Sequence, residues 1–349
     1  MHKNNLIIGF DDPILITGSN GFIGSRVVET LLRSGFSNLR CFVRPSSNLT
    51  HLQGTLATAQ KARVEMIHGN LLSREDCTKA AKDVKVVFHL AAGIEKTFPG
   101  SFMNSVVTTR NLLDAVVRLG TLQRFVNVSS FAIYSNWNIA GGGLLDETCE
   151  LESRPVERAD AYTFAKLKQD QLVLEYAQKY GVPYVILRPG AVYGPGAHHI
   201  TARVGIDTFG VFFHLGGSNQ IPLTYVDNCA EAIVLAGLKS GVDGEVFNVV
   251  DNDLPSSRQF LRMYKRHGHR FKSIYIPYWL FYSFCWLWEN YSRWSEGQLP
   301  PVFNRRRCAT YWKGNRYSNQ KLKDRVGWRP TVSFSEASRR YFEYVRKTS

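Results

Sequence analysis

The 349 residues of this chain can bury a large core, enough for one big α/β domain or two unequal ones. With 44% hydrophobic residues, no internal repeat and no low-complexity tract, the composition excludes a disordered or fibrous protein. The net charge of +14 asks for an anionic partner. The basic residues are dispersed and carry no recognition motif, so the reading is a phosphorylated cofactor, an acidic substrate or a lipid headgroup, and no nucleic acid.

Met1 to Phe10 holds only a four-residue apolar run, too short for a signal peptide. Pro13 to Thr17 is a short apolar run ending in a glycine turn, which predicts a buried first strand. From Phe22 to Leu32 apolar residues recur at helical spacing until Gly35 stops them, and Leu39–Val43 reads as the second strand. Strand-like runs return at Val64–Ile67, Val84–Leu90, Phe125–Ser129 and Val182–Leu187 with helical patterns between them. One of those helices opens on Ser73-Arg74-Glu75-Asp76, a capping box with Asp in place of Glu. This alternation predicts an α/β fold, a doubly wound parallel sheet covered on both faces.

The rhythm breaks at about residue 190. A helix is expected at Asp227–Leu238 and a strand at Glu245–Val250. The predicted division is a dinucleotide-binding domain over 1–190, with 223–250 returning to it. A smaller mixed α/β substrate-binding region, built from 191–222 and 251–349, lies at the sheet's C-terminal side. The six cysteines (Cys41, Cys77, Cys149, Cys229, Cys285, Cys308) include no CxxC pair. They fit reduced thiols in a cytoplasmic protein, and no metal is expected.

Gly18, Gly21 and Gly24 follow a strand and open a helix. Gly18 suits a tight turn, Gly21 a close backbone approach to a pyrophosphate, and Gly24 tight helix–strand packing; the helix N-terminus offers its N–H groups to the phosphates. The intervening Ser19, Asn20, Phe22 and Ile23 belong to the same cofactor turn. At the end of the second strand an acidic residue would hold the 2′-hydroxyl of NAD. Here the strand ends Cys41-Phe42-Val43-Arg44, so a guanidinium stands there and NADP(H) is favoured over NAD(H), the plain alternative being a solvated surface arginine.

Tyr162 and Lys166 fall one helical turn apart, a phenol and an ammonium on one face. In that pairing the ammonium lowers the phenol's pKa and holds the nicotinamide ribose while the phenol moves a proton. Ser130, just past a sheet strand, would fix the reacting oxygen.

These residues resemble the extended short-chain dehydrogenase/reductase family, also called the NAD-dependent epimerase/dehydratase family. TGSNGFIG is similar to its TGxxGFxG turn, and VFHLAA (Val87 to Ala92) to its cofactor-lining strand. VSSFAIYS (Val128 to Ser135) resembles the segment bearing the catalytic Ser or Thr, YTFAK matches YxxxK, and LRPGAVYGPG (Leu187 to Gly196) matches RPxxxYGPG. The resemblance implies a Rossmann domain, a smaller substrate domain and a homodimer. It implies catalytic Ser130, Tyr162 and Lys166, with Asn70, Leu71, Leu90, Ala91, Ala92 and Pro189 along the cofactor.

Several departures narrow the reading. Asn70 stands where the family carries an Asp that contacts adenine, and Ser105 stands at the Asn of NVxGT, a role left unassigned. Phe131-Ala132 replaces the Asp-Glu pair of sugar-nucleotide dehydratases, and Ile221 replaces the diphosphate-holding Arg of many epimerases; Arg203 or Arg305-Arg306-Arg307 is left for that duty. Leu223 to Ala232 looks more like the 3β-hydroxysteroid dehydrogenase branch, which also carries a late apolar helix. Here that is Ser273 to Trp288, uncharged, too short to span a bilayer and flanked by Lys265, Arg266, Arg270, Lys272 and Arg293. It reads as an interfacial helix touching a membrane peripherally, a pocket wall, or a buried packing helix. His198-His199 reads as a pocket-rim loop, not a metal site. The expected function is an NADP(H)-dependent oxidoreductase acting at a secondary alcohol or ketone of a bulky, apolar small molecule; the rival is an NAD-dependent sugar-nucleotide epimerase.

Overall fold

A computed structural model describes residues 5–57, 62–93, 95, 97–197, 200–208, 210–268, 271–296 and 298–348. The first half runs β1 (Ile14–Thr17), α1 (Phe22–Arg33), β2 (Asn38–Val43), α2 (Thr50–Ala57), β3 (Arg63–His68), α3 (Arg74–Ala81) and β4 (Val86–His89). After β4 come α4 (Phe98–Ser101), a π-helical turn Phe102–Val107, α5 (Thr108–Leu119) and β5 (Arg124–Val128). Then follow β6 (Leu144–Leu145), the long α6 (Ala161–Tyr180) and β7 (Tyr184–Pro189).

The remainder contains β8 (Ala191–Tyr193), β9 (Gly205–Thr208), β10 (Val211–His214), β11 (Leu223–Tyr225), α7 (Val226–Leu238) and β12 (Glu245–Val249). It closes with α8 (Ser257–His267), β13 (Ser273–Tyr275), α9 (Tyr278–Trp294), α10 (Arg305–Trp312), β14 (Arg316–Tyr317), α11 (Gln320–Val326) and α12 (Phe334–Thr348).

Seven strands pair in parallel in the order β12-β7-β5-β4-β1-β2-β3. Their near-continuous apolar runs follow from burial on both faces. Ile14 and Ile16 enter one core with α1, α7 and α11, while Leu15 enters the other with α3, α5 and α6. The strand order reverses between β1 and β4, with Thr17 level with His89, so a crevice opens there at the strands' C-terminal ends.

Over that edge lies a second apolar cluster built by β8, β10, β11, α8 and α12, and a smaller one between α9 and α10. A Cβ on Gly190 would meet Pro222 O at 2.1 Å, which explains why the chain leaving β7 carries glycine where it turns under this region. The Ser73 side chain caps α3 through Asp76 N, but Asp76 spends its carboxylate on Asn70 N, so the expected capping box is half formed. The stretch 273–288 is not one helix. It splits into β13 and α9 at Pro277, because proline disfavours helix in the residue before it.

Candidate active site

The glycine turn after β1 is shaped by contacts that only hydrogen atoms permit. Gly18 has φ +70°, and a Cβ there would lie 2.9 Å from Ala91 N. A Cβ on Gly24 would lie 2.0 Å from Gly18 O, so α1 sits directly on the turn. Gly21 N donates to Gly18 O at 3.0 Å, and no side chain caps α1. The first N–H groups of that helix are therefore available to an anion, and these residues fit a dinucleotide pyrophosphate. Ser19 donates to Phe42 O and Asn20 to Asn48 O, tying the turn to β2 and the loop beyond it. Gly196 packs over Phe22, so the YGPG turn closes on the same crevice.

Across the crevice, Leu90, Ala91 and Ala92 leave β4 half-buried. His89 bridges Thr17 Oγ1 and Thr109 Oγ1, each at 2.8 Å, and Gln169 Nε2 donates to Thr109 Oγ1 at 2.8 Å. Burial, with the Lys166 charge acting in the same direction, pushes the His89 pKa down to about 3, so the ring bridges as neutral imidazole. Ser105, whose role was open, accepts from Gly93 N at 3.0 Å in the π-helical turn and so pins the loop after β4. Asn104 reaches Glu95 instead.

The reacting set assembles at the C-terminal end of β5. Asp160 caps α6 by accepting from Thr163 N, which sets Tyr162 in the first turn and Lys166 one turn later. Lys166 Nζ donates to Val128 O at 2.7 Å, fastening α6 to the end of β5 two residues before Ser130. The Ser130 hydroxyl lies close enough to Tyr162 to pull on its pKa, and it accepts from Ala132 N at 3.1 Å. Desolvation pushes the Lys166 pKa down to about 8 while Asp170 pulls it up. Desolvation also raises Tyr162 to about 12, against the pull of the Ser130 hydrogen bond. The expectation that Lys166 lowers the phenol's pKa is thus not met, because burial outweighs the other influences on the phenol. Tyr162 is a proton donor at neutral pH.

Sequence reasoning missed the groups behind these residues. Asp170 accepts from Asn127 Nδ2 at 2.9 Å and pairs with Arg188 at 3.4 Å, all of them buried. Arg188 in turn donates to Tyr134 Oη, which donates to Asn248. One step further along the Tyr162/Lys166 helix face reaches Asp170, and that spacing was the available signal. On the other side, Tyr311 lies between the Arg158 and Arg203 guanidiniums, 5.5 Å from each, with its hydroxyl 3.3 Å from Asp160.

Arg44 and Asn70 stand apart from the reacting set, beyond β2 and β3 on the far side of the glycine turn. Arg44 is exposed and its side chain makes no hydrogen bond or ion pair among the described residues. Asn70 turns its side-chain oxygen onto Leu72 N, Leu71 is in the core, and Pro189 is buried at the end of β7. His198, His199 and Arg270 lie outside the described residues, among which no cluster fit for a metal ion occurs.

The model of the NAD-dependent epimerase/dehydratase family matches residues 14–249. The chain belongs to that family. It is 26% identical over 355 residues to 3beta-hydroxysteroid-dehydrogenase/decarboxylase isoform 2 of Arabidopsis thaliana, across 93% of this chain and 60% of that protein, so it spans about three fifths of that relative's length. It is 24% identical to the sterol-4-alpha-carboxylate 3-dehydrogenase, decarboxylating, of Mus musculus, across 95% of this chain and 91% of the relative. UDP-glucuronic acid 4-epimerase from Bacillus cereus in complex with NAD shares the fold, with a TM-score of 0.71 at 22% identity over 96% of this chain and 97% of that one. Ser130, Tyr162 and Lys166 are then the candidate residues of an NAD(P)-dependent oxidoreductase working on a CH–OH group. Phe131 and Ala132 are both buried, Phe131 in an apolar cluster with Tyr134 and Leu145, which leaves no acid beside Ser130 for dehydration.

Proposed function

We propose that the protein is an NADP(H)-dependent oxidoreductase acting at a secondary alcohol or ketone of a bulky, largely apolar substrate of sterol, terpenoid or polyketide type. The observation that carries this reading is an apolar wall of Ile206, Phe281, Cys285, Phe303 and Trp312 around a cavity of about 120 Å³, which admits one edge of a larger substrate and is also touched by Asn304, Arg307 and Tyr311, a close electrostatic neighbour of Tyr162. Apolar walls reward burial of hydrocarbon and offer little to a sugar. The relatives named for steroid and sterol carboxylate oxidation support the same substrate class.

When bound, the dinucleotide gives or takes the hydride. In the reducing direction the protonated Tyr162 passes its proton to the substrate oxygen, Ser130 holds that oxygen in line, and the Lys166 ammonium stabilises the charge that develops. Arg44, with no side-chain partner among the described residues, offers its guanidinium at the end of β2 to a ribose phosphate.

The rival, an NAD-dependent sugar-nucleotide epimerase, is favoured by Arg307, which lines the cavity without an ion pair among the described residues. Its other candidate cations are committed: Arg305 to Glu289, Arg306 to Glu152, and Arg203 to Thr310 O and the Tyr311 ring. The test is to denature purified protein before and after dialysis and identify the released nucleotide by mass, with NADPH consumption assayed on a panel of sterol-like ketones. Dialysable NADP(H) and turnover support the reading. NAD that survives dialysis overturns it in favour of the epimerase.

A further inference from the structure

Helix α9 buries one face and leaves the other bare. Phe281, Cys285 and Ser292 are buried on its inner side, which packs on α10 and walls the cavity below. Its outer side presents Trp279 (69% exposed), Leu280, Phe284, Trp286, Leu287 (58%) and Trp294 (78%), with no charged residue among them. At 100° per residue these positions fall within one arc of about 160° and form a stripe along the 17-residue helix, about 25 Å long. The two charges of the helix, Glu289 and Arg293, turn to its flank and line a groove of about 920 Å³ together with Arg154, Glu157, Arg305 and Arg306. A second groove, of about 430 Å³, runs beside Trp279 and Trp137 and ends on Lys313.

We propose that the outer face of α9 seats this protein on an anionic lipid bilayer, with the helix lying in the membrane plane. The occupant is argued from charge and shape. Of the cations in the grooves that border the apolar stripe, Arg154, Arg305 and Arg306 pair with Glu157, Glu289 and Glu152, while Arg293 and Lys313 have no ion pair among the described residues; with +14 on the whole chain, the border keeps a net positive charge where headgroups would lie. A stripe of Trp and Leu beside such a border matches the chemistry of the headgroup–acyl boundary. No helix among the described residues is long and apolar enough to cross a membrane, so α9 would lie on the bilayer and not through it. Because Phe281 and Cys285 wall the cavity from the inner side of the same helix, docking would bring that cavity against the lipid. The proposal does not rest on the substrate reading, since its test reads no turnover.

The experiment is flotation of the full chain with vesicles of phosphatidylcholine alone and with about one third phosphatidylserine. It is repeated with the variant Trp279→Ser/Trp286→Ser/Leu287→Ser, whose fold is checked by circular dichroism and Tm. The expected result is co-flotation with the anionic vesicles, weakened by added salt and reduced roughly tenfold or more in the variant. Absence of flotation, equal flotation on neutral vesicles, or flotation unchanged in the variant overturns the proposal. So does lipid-free self-association in sedimentation velocity that the variant abolishes, which would give the face to a second copy.

Discussion

Helices α6 and α9 depart from ordinary hydropathy in opposite directions. Over its 20 residues α6 buries Lys166, Gln169 and Asp170, side chains that normally stay in water, whereas the 17 residues of α9 hold tryptophans and leucines in solvent. In α6 each of these buried side chains has a partner, with only the Gln169 amide oxygen left without one among the described residues: Lys166 donates to Val128 O, Gln169 to Thr109, and Asp170 accepts from Asn127 and pairs with Arg188. In α9 Phe284 touches Phe281, Trp288 and Phe303 and Trp294 touches Tyr291, but no ring contact of Trp279 or Trp286 occurs among the described residues. The difference teaches that the first helix offsets most of its polar cost with fixed partners within the chain, while the second keeps an apolar face in solvent that the proposed bilayer contact would cover.

The sharpest way to break the α6 side of that comparison is to remove its reacting atom. Tyr162→Phe is expected to lower kcat by about a thousandfold, since the proton then has no donor, while nucleotide affinity stays near the wild-type value because the glycine turn is untouched. Steady-state kinetics with equilibrium nucleotide binding checks both halves, and turnover retained in the variant excludes Tyr162 as the acid–base group.

Next in size is the partner behind the lysine. Asp170→Ala leaves the buried Arg188 guanidinium and the Lys166 ammonium without their carboxylate, and the expected loss is about 3–5 kcal/mol in denaturant unfolding. Asp170 acts through Lys166, so the variant should also lower the Lys166 pKa further, seen as a shifted pH–rate profile. Asp170→Asn should recover part of the stability and little of that pH shift.

The His89 bridge gives a smaller, pH-dependent effect. Its folded pKa of about 3 lies below the 6.5 of a free imidazole, so the unfolded chain takes up the proton first. Stability from this group is therefore whole above pH 6.5 and is lost as pH falls from there toward 3, at no more than about 1.4 kcal/mol per pH unit. In His89→Gln the acid limb of the stability curve should flatten relative to wild type, and an unchanged slope would show that the ring titrates normally.

The strands and glycines of the sheet were legible because each leaves a local mark: apolar runs of four to six residues, and turns where a Cβ has no room, as at Gly18 and Gly24. Ser130, Tyr162 and Lys166 were legible from spacing. Arg188 was not, and Asp170 left only its place on the Tyr162/Lys166 helix face, because a charged residue's burial depends on partners 18 to 54 positions away. The Tyr162 pKa was misjudged for the same reason, since desolvation is a property of the packed site. In α9 composition alone allowed an interfacial helix, a pocket wall or a buried packing helix, and the fold makes its inner face a wall and leaves its outer face in solvent.

The smallest expected effect tests the α9 side. Trp286→Ser removes a large aromatic side chain, a change that in a core costs about 3–5 kcal/mol or more. Here the indole is 47% exposed on the uncovered face, and no ring contact or hydrogen bond of it appears among the described residues. The folded protein therefore loses little on its removal, and unfolding in lipid-free buffer should move by less than about 0.5 kcal/mol. Thermal and denaturant unfolding check this directly. A loss of several kcal/mol would mean that α9 is covered in solution by the protein itself, and the contrast with α6 would collapse. A near-zero loss joined to weaker flotation would separate what α9 does for the fold from what it does at a surface.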